Sequence, residues 1–213
     1  MLALLTIFIT SFFIAFSGAM MPGPLMTMTI GESARSGPWV GPKMIAGHAV
    51  LEIILLFALF YGLAPLFNNE FFFIVVALTG GLIMIWMAQS MFRSLPTLEI
   101  KAKTTSGKTM NLYLAGILMS LANPYWIIWW ATIGLGYVLV SKELGFAGIA
   151  FFFAGHILGD LVWYSAISYG VGKGRKFFSN KIYRILVGAC AFLLALFAIW
   201  LIWDGIMKLI KFG

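Results

Sequence analysis

Residues 46–62 read AGHAVLEIILLFALFYG, an apolar stretch that contains one histidine and one acidic residue. Residues 154–170, which lie 108 positions further on, read AGHILGDLVWYSAISYG. Seven positions match without a gap, namely Ala, Gly, His, an acid, Ala, Tyr and Gly. An internal match of this kind indicates a duplicated unit. We therefore divide the chain into a first half, residues 1–93, a connection, residues 94–110, and a second half, residues 111–213.

The sequence around these two stretches is apolar as well. Hydrophobic residues make up 62% of the chain and charged residues only 10%, and the mean hydropathy is +1.01. A soluble domain carries roughly 25% charged residues, so this composition excludes that class. Six apolar runs reach the ~20 residues that cross a bilayer as a helix; they are residues 2–21, 44–64, 71–92, 112–140, 146–169 and 182–207.

The predicted fold class is an all-α integral membrane protein with about six transmembrane helices. The runs are continuously apolar, whereas the strands of a membrane barrel alternate. The first run lacks a cleavage signal, so we interpret it as a retained helix. Three spans in each half make the second half enter the membrane from the opposite side. The result is an inverted repeat, which recurs among transporters.

The placement of the basic residues predicts the orientation. The net charge of +7 would suggest a nucleic-acid partner in a soluble protein. Here, however, 11 of the 14 Lys and Arg residues fall in the three connections on one side of the membrane. Basic residues are retained on the cytoplasmic side during insertion. We therefore predict a cell-membrane protein with both termini outside the cytoplasm and no nucleic-acid partner.

The first helix of each half carries a break. Pro22, Gly23 and Pro24 interrupt the first, and Asn123 and Pro124 interrupt the second, at what we take to be corresponding places. Proline removes a backbone donor and clashes with the preceding turn. Backbone groups freed in this way are tolerated inside a membrane only where protein or a cavity satisfies them. Half-helix ends also offer partial charges to a ligand, which makes both breaks candidate substrate contacts.

The candidate coupling residues are two His–acid pairs, each spaced four residues apart in mid-helix. His48 precedes Glu52, and His156 precedes Asp160; the chain has no other histidine. Acidic residues inside a membrane are costly and usually functional. Each pair is a candidate proton relay or cation site, or alternatively a buried structural hydrogen bond. The inverted arrangement is expected to hold the two imidazoles at opposite depths, so we assign no metal site and no cofactor.

Most of the other polar and aromatic residues of interest are expected to have structural roles. Trp126, two residues after Pro124, is a candidate cavity residue. Glu32 and Arg35 are expected to form an ion pair on the cytoplasmic side, and the single cysteine, Cys190, is expected to be a packing residue. Most other tryptophans are expected to face lipid or the interface; among them are Trp129, Trp130 and Trp163.

A family resemblance rests on three features. These are the segment Ser17-Gly18-Ala19-Met20-Met21-Pro22-Gly23-Pro24 with the turn Arg35-Ser36-Gly37, the Gly-rich second helix with Glu52, and the Asn123-Pro124 pair. Together they resemble the LysE/RhtB family of amino-acid exporters over nearly the whole chain. The resemblance implies export of amino acids or similar metabolites, driven by an ion gradient. The chain departs from the family pattern at two positions: Glu52 stands where an Asp is usual, and His48 is not part of that pattern.

These observations predict a secondary transporter, not an enzyme, that exports amino acids or related small polar metabolites by alternating access. The expected partners are a small-molecule substrate, membrane lipid and a coupling ion, with a proton favoured; a homo-oligomer is left open. The alternatives are an exporter of a metal cation or another solute, and a non-transporting scaffold. An ATP-driven pump is disfavoured because no P-loop pattern occurs in the chain.

Overall fold

The computed structural model describes residues 1–63, 69–98, 111–174 and 179–212, with the backbone alone at Leu63 and Phe212. The described residues form nine α-helices, which are α1 Leu2–Ala19, α2 Pro24–Ser36, α3 Val40–Ala58, α4 Glu70–Ser94, α5 Leu112–Leu121, α6 Pro124–Trp129, α7 Leu135–Lys142, α8 Gly145–Lys173 and α9 Asn180–Phe212. Wider π-type turns, Leu59–Leu63 and Trp130–Gly134, follow α3 and α6, and a 3₁₀ turn, Leu95–Thr97, follows α4.

Six of the described segments are long and apolar enough to cross a membrane, which confirms the predicted fold class. They are Leu2–Ala19, Val40–Gly62, Glu70–Thr97, Pro124–Lys142, Gly145–Lys173 and Asn180–Lys211. The ten-residue α5 is apolar but shorter. It leads into the fourth segment, so a break divides the fourth apolar run of the sequence into α5 and that segment.

Both predicted breaks are present, but they do not lie at corresponding places. The first break follows the 18 residues of α1, whereas the second follows only the ten residues of α5. At the 108-residue offset, Pro22 corresponds to Trp130, where the helix widens into its π-type turn. Pro24 and Pro124 each occupy the first turn of the following helix. A proline is tolerated there because its missing N–H would have no partner in the helix.

The helices of one half pack against those of the other. The helix α1 runs along α8, α5 runs along α3, and α3 also contacts α8, while α4 packs along α9 and also contacts α6. Glycines allow the closest approaches. A Cβ at Gly155 would collide with the carbonyl oxygen of Phe8 in α1, and one at Gly47 would collide with that of Tyr113 in α5. The middle of the bundle is therefore built from the faces of α3 and α8.

The predicted pairing of Glu32 with Arg35 and the predicted packing role of Cys190 are confirmed. Arg35 Nη1 lies 2.9 Å from Glu32 Oε1, one turn apart on α2. Cys190 is buried in an apolar cluster, where its Sγ lies 3.9 Å from the sulfur of Met26. Its role in the described structure is packing.

Candidate functional site

Four titratable side chains meet at the centre of the bundle. His48 and Glu52 lie one turn apart on α3, and His156 and Asp160 lie one turn apart on α8, so each pair shares a helix face. All four are buried, with no more than 6% of any residue exposed. Each offers one nitrogen or oxygen atom, and these four atoms lie within 4.8 Å of one another. We call these four residues the central cluster.

Within the central cluster each imidazole lies between both carboxylates. His48 Nε2 is 3.0 Å from Glu52 Oε1 and 3.4 Å from Asp160 Oδ2. His156 Nε2 is 3.1 Å from Glu52 Oε2 and 3.5 Å from Asp160 Oδ2. The expectation of two imidazoles at opposite depths is therefore wrong. Because α3 and α8 contact each other at this level, the two predicted pairs form one group.

Two tryptophans of the fourth segment orient Glu52. The indole N–H groups of Trp126 and Trp130 donate hydrogen bonds to Glu52 Oε1, at 3.1 and 2.9 Å. Trp129 stacks on His156, with ring centroids 4.7 Å apart. Trp129 and Trp130 are buried, so the expectation that they face lipid or the interface is wrong. The reason is that the fourth segment begins at the break in the bundle interior, where its first aromatic residues face the central cluster.

Ser120, which we did not predict, holds His48. The Ser120 hydroxyl donates to the carbonyl oxygen of Gly116 at 2.7 Å, and its oxygen lies 2.7 Å from His48 Nδ1. A hydroxyl has a single hydrogen, so in this arrangement Ser120 accepts from His48 Nδ1–H. A neutral His48 then presents the lone pair of Nε2 to the two carboxylates. Ser120 could have been found from the sequence, because it is a polar residue in the last turn before the break at Asn123 and Pro124.

A narrow cleft includes the central cluster and residues next to each of the two breaks. Its volume is about 40 Å³, and it is lined by Gly18, Ala19, Leu25, His48, Glu52, Ser120, Asn123, Tyr125, Trp126, Trp129, His156, Asp160 and Tyr164. A water molecule needs about 10–15 Å³ by the same measure. The cleft therefore has room for a few water molecules, and a larger solute requires the helices around it to separate.

The remaining residues predicted for the site lie beside this cleft. Gly23 contacts the second break, since a Cβ there would lie 3.1 Å from Asn123 Nδ2. Pro124 packs against Gly80 of α4. Pro22 lines a separate open apolar groove of about 580 Å³ between the first break and α9. Pro24 begins α2, directly before the cleft residue Leu25. The two breaks thus touch each other, although they differ in position along their helices.

Comparison with known proteins agrees with the predicted resemblance. Residues 16–205 match the family model described as LysE type translocator. The chemotactic transduction protein ChpE of Pseudomonas aeruginosa is 23% identical over 192 residues, which cover 90% of this chain and 95% of that protein. The putative amino acid efflux protein YcgF of Bacillus subtilis is 19% identical over 191 residues, covering 88% and 91%. No solved structure matches the chain. Since the family model covers most of the chain, this multi-pass membrane protein is a transporter that belongs to the LysE type translocator family.

Proposed function

We propose that the chain exports amino acids or related small polar metabolites across the cell membrane by alternating access. The observation that carries the proposal is the cleft in which both helix breaks meet four buried titratable side chains. Ionisable groups inside a membrane are costly and mark substrate or ion pathways.

The proposed substrate binds through both of its charged ends. The first N–H groups of a helix lack partners within the helix and carry partial positive charge. The helix α2 begins at Gly23 and Pro24 without a side-chain cap, and Leu25 in its first turn lines the cleft. A substrate carboxylate fits that end, while the carboxylates of Glu52 and Asp160 suit an amino group. The name of the relative YcgF, a putative amino acid efflux protein, supports the same substrate class.

The proposed energy source is an ion gradient, with a cation bound at the central cluster. When both carboxylates are ionised and both imidazoles are neutral, the central cluster carries two negative charges in a buried place. A bound cation offsets that charge, and its release restores it. The charge in the cleft therefore changes whenever an ion binds or leaves, and this couples the conformation of the cleft to the movement of the ion. A proton is the coupling ion predicted from the sequence.

The proposed moving parts are the two halves, residues 1–93 and 111–213, arranged as inverted repeats. The reciprocal packing of α1 on α8 and α5 on α3 supports this arrangement. The two glycines at these contacts, Gly47 and Gly155, are themselves 108 positions apart. Rocking of one half against the other opens a central site alternately to either side. In the orientation with both termini outside the cytoplasm, α2 and the start of α5 lie on the cytoplasmic side of the central site.

The proposal is tested by an efflux screen. The full chain is reconstituted into liposomes loaded with a mixture of amino acids and related metabolites. A pH gradient is then imposed, and the retained solutes are measured by mass spectrometry. We expect selective loss of one or a few amino acids relative to protein-free liposomes. Equal retention of every solute, under gradients of either sign, would refute export of this substrate class.

A further inference from the structure

We propose that the central cluster is a binding site for one divalent transition-metal ion of the Zn²⁺ class. The ligands are His48 Nε2, His156 Nε2 and one carboxylate oxygen each from Glu52 and Asp160. These four atoms, all buried, lie within 4.8 Å of one another. The proposal concerns binding by the folded chain, and a bound ion competes with the proton and the substrate amino group that the proposed function assigns to the same carboxylates.

The spacing of the donor atoms suits a tetrahedral ion. Bonds of about 2.0–2.1 Å from Zn²⁺ to nitrogen and oxygen place neighbouring donors about 3.3–3.4 Å apart. With Glu52 Oε1 and Asp160 Oδ2 as the two oxygen ligands, the four nitrogen–oxygen distances are 3.0, 3.3, 3.4 and 3.5 Å. An ion at the centre therefore needs adjustments of only a few tenths of an ångström along these four edges, and the second oxygen of Glu52, Oε2, lies 3.1 Å from His156 Nε2.

The number of protons available also favours a metal ion. Each Nε2 carries at most one hydrogen, so two imidazoles supply two N–H groups to four close nitrogen–oxygen contacts. When both carboxyl groups are ionised, at least two of the four contacts have no hydrogen of their own. A single ion at the centre is attracted to all four donors at once. Within the described part of the chain, Glu52 Oε2 accepts no well-aligned hydrogen bond, which leaves its lone pairs available.

Charge and donor type narrow the choice of ion. Metal binding requires both carboxylates ionised and both imidazoles neutral, and in that state the net charge of −2 is neutralised by a divalent ion in a place where uncompensated charge is costly. Imidazole donors suit Zn²⁺, Cu²⁺, Ni²⁺ and Fe²⁺, whereas Mg²⁺ and Ca²⁺ prefer sites made of oxygen alone. The lone thiol, Cys190, belongs to a separate apolar cluster.

Neighbouring residues hold two of the four ligands as they do in known metal sites, whereas His156 Nδ1 is buried without a hydrogen-bond partner in the described part of the chain. A metal-bound histidine usually donates its other N–H to a fixed acceptor, which sets the tautomer. Ser120 is placed to do this for His48 Nδ1, at 2.7 Å. Trp126 and Trp130 fix the second ligand of α3, Glu52, by donating hydrogen bonds to its Oε1. The Nε2 lone pair of His48 and the carboxylate of Glu52 are therefore held in place before an ion enters.

The test is a Co²⁺ titration of the full, tag-free chain, purified in detergent and washed with chelator. Tetrahedral Co²⁺ absorbs strongly in the visible range, and octahedral Co²⁺ absorbs weakly. We expect one Co²⁺ per chain with a tetrahedral spectrum that Zn²⁺ abolishes by displacement. His48→Gln and His156→Gln should each weaken binding by more than about 100-fold, and Ser120→Ala by about 10–100-fold. Glu32→Gln, which alters an acid outside the central cluster, should bind like the wild type.

A weak octahedral spectrum, or binding that survives both histidine substitutions, would overturn the proposal. Unfolding temperatures with and without Zn²⁺ provide a second readout for any variant that purifies poorly. Zn²⁺ should raise the unfolding temperature of the wild type and Glu32→Gln; the absence of any rise in both would also overturn it. A chain that binds Co²⁺ but exports no amino acid would refute only the proposed function.

Discussion

His156 Nε2 lies 3.1 Å from Glu52 Oε2, although 104 positions separate the two residues in sequence. Each residue belongs to the second long helix of its own half, α8 and α3. Their contact joins the halves through buried, titratable groups and not through apolar packing alone. A movement between the halves must therefore change the surroundings of these groups. This coupling of position and charge is what an ion-driven transporter requires.

Replacing Trp130 with Phe should impair both folding stability and transport. Trp130 is fully buried and donates to Glu52 Oε1 at 2.9 Å. A hydrogen bond to a charged group contributes about 1.5–3 kcal/mol, and the smaller ring adds a cavity. Trp126→Phe, which alters a partly exposed residue in the cleft, should reduce transport with a smaller loss of stability. Unfolding temperature and net efflux are measured for both variants.

The matched control for these two variants is Trp86→Phe on α4, because Trp86 is 67% exposed. It should behave like the wild type in both measurements. If Trp130→Phe were indistinguishable from this control, the indole groups would have no part in holding Glu52.

Adding a methyl group at either repeat glycine should destabilise the bundle. The new Cβ of Gly47→Ala or Gly155→Ala would meet a backbone carbonyl oxygen of the facing helix, which cannot move as a flexible side chain does. Overpacking of this kind costs about 1–3 kcal/mol. The unfolding temperature of each variant in detergent measures the effect.

Gly170→Ala on α8 is the control for the glycine variants, since a Cβ there meets nothing within 4 Å. Alanine has the higher helix propensity, so this variant should be as stable as the wild type or slightly more so. Equal stability of all three variants would argue against close helix contacts at Gly47 and Gly155. A similar loss at both would fit the proposed inverted halves.

Thiol labelling should place the connection between the halves in the cytoplasm. Thr105→Cys, introduced on a Cys190→Ser background, lies in the connection of residues 94–110, mostly outside the described part of the chain. A membrane-impermeant reagent should label it only after the cells are permeabilised. Glu143→Cys, between α7 and α8, is exposed and should be labelled in intact cells. The opposite pattern would reverse the orientation deduced from the basic residues.

Local sequence patterns predicted the helices well because apolar length is a local property. The run 71–92 corresponds to Glu70–Ser94, and the run 182–207 to Asn180–Phe212. Most differences arise because helices continue into polar residues beyond the apolar window. The helix α3 begins at Val40, ahead of the predicted residue 44, since Pro42 in its first turn does not interrupt it.

The central cluster was only half predictable for a physical reason. The spacing of His48 and Glu52 showed which side chains share a helix face. It carried no information on how α3 and α8 are rotated against each other. That rotation depends on close contacts at Gly47 and Gly155 with other helices, so the meeting of both pairs was missed. Trp130 was misplaced because the preference of tryptophan for interfaces is a statistical tendency that the break at Asn123 overrides.

The most direct test of the central claim compares net efflux with exchange in Glu52→Gln and Asp160→Asn. An amide keeps the volume and most hydrogen bonding of the acid but removes its negative charge. We predict that both variants fold, lose gradient-driven net efflux to the level of protein-free liposomes, and retain more exchange of labelled substrate. Glu32→Gln, the control acid outside the central cluster, should transport normally. Net efflux at the wild-type rate in both amide variants would contradict the account, because the carboxylates would then be structural.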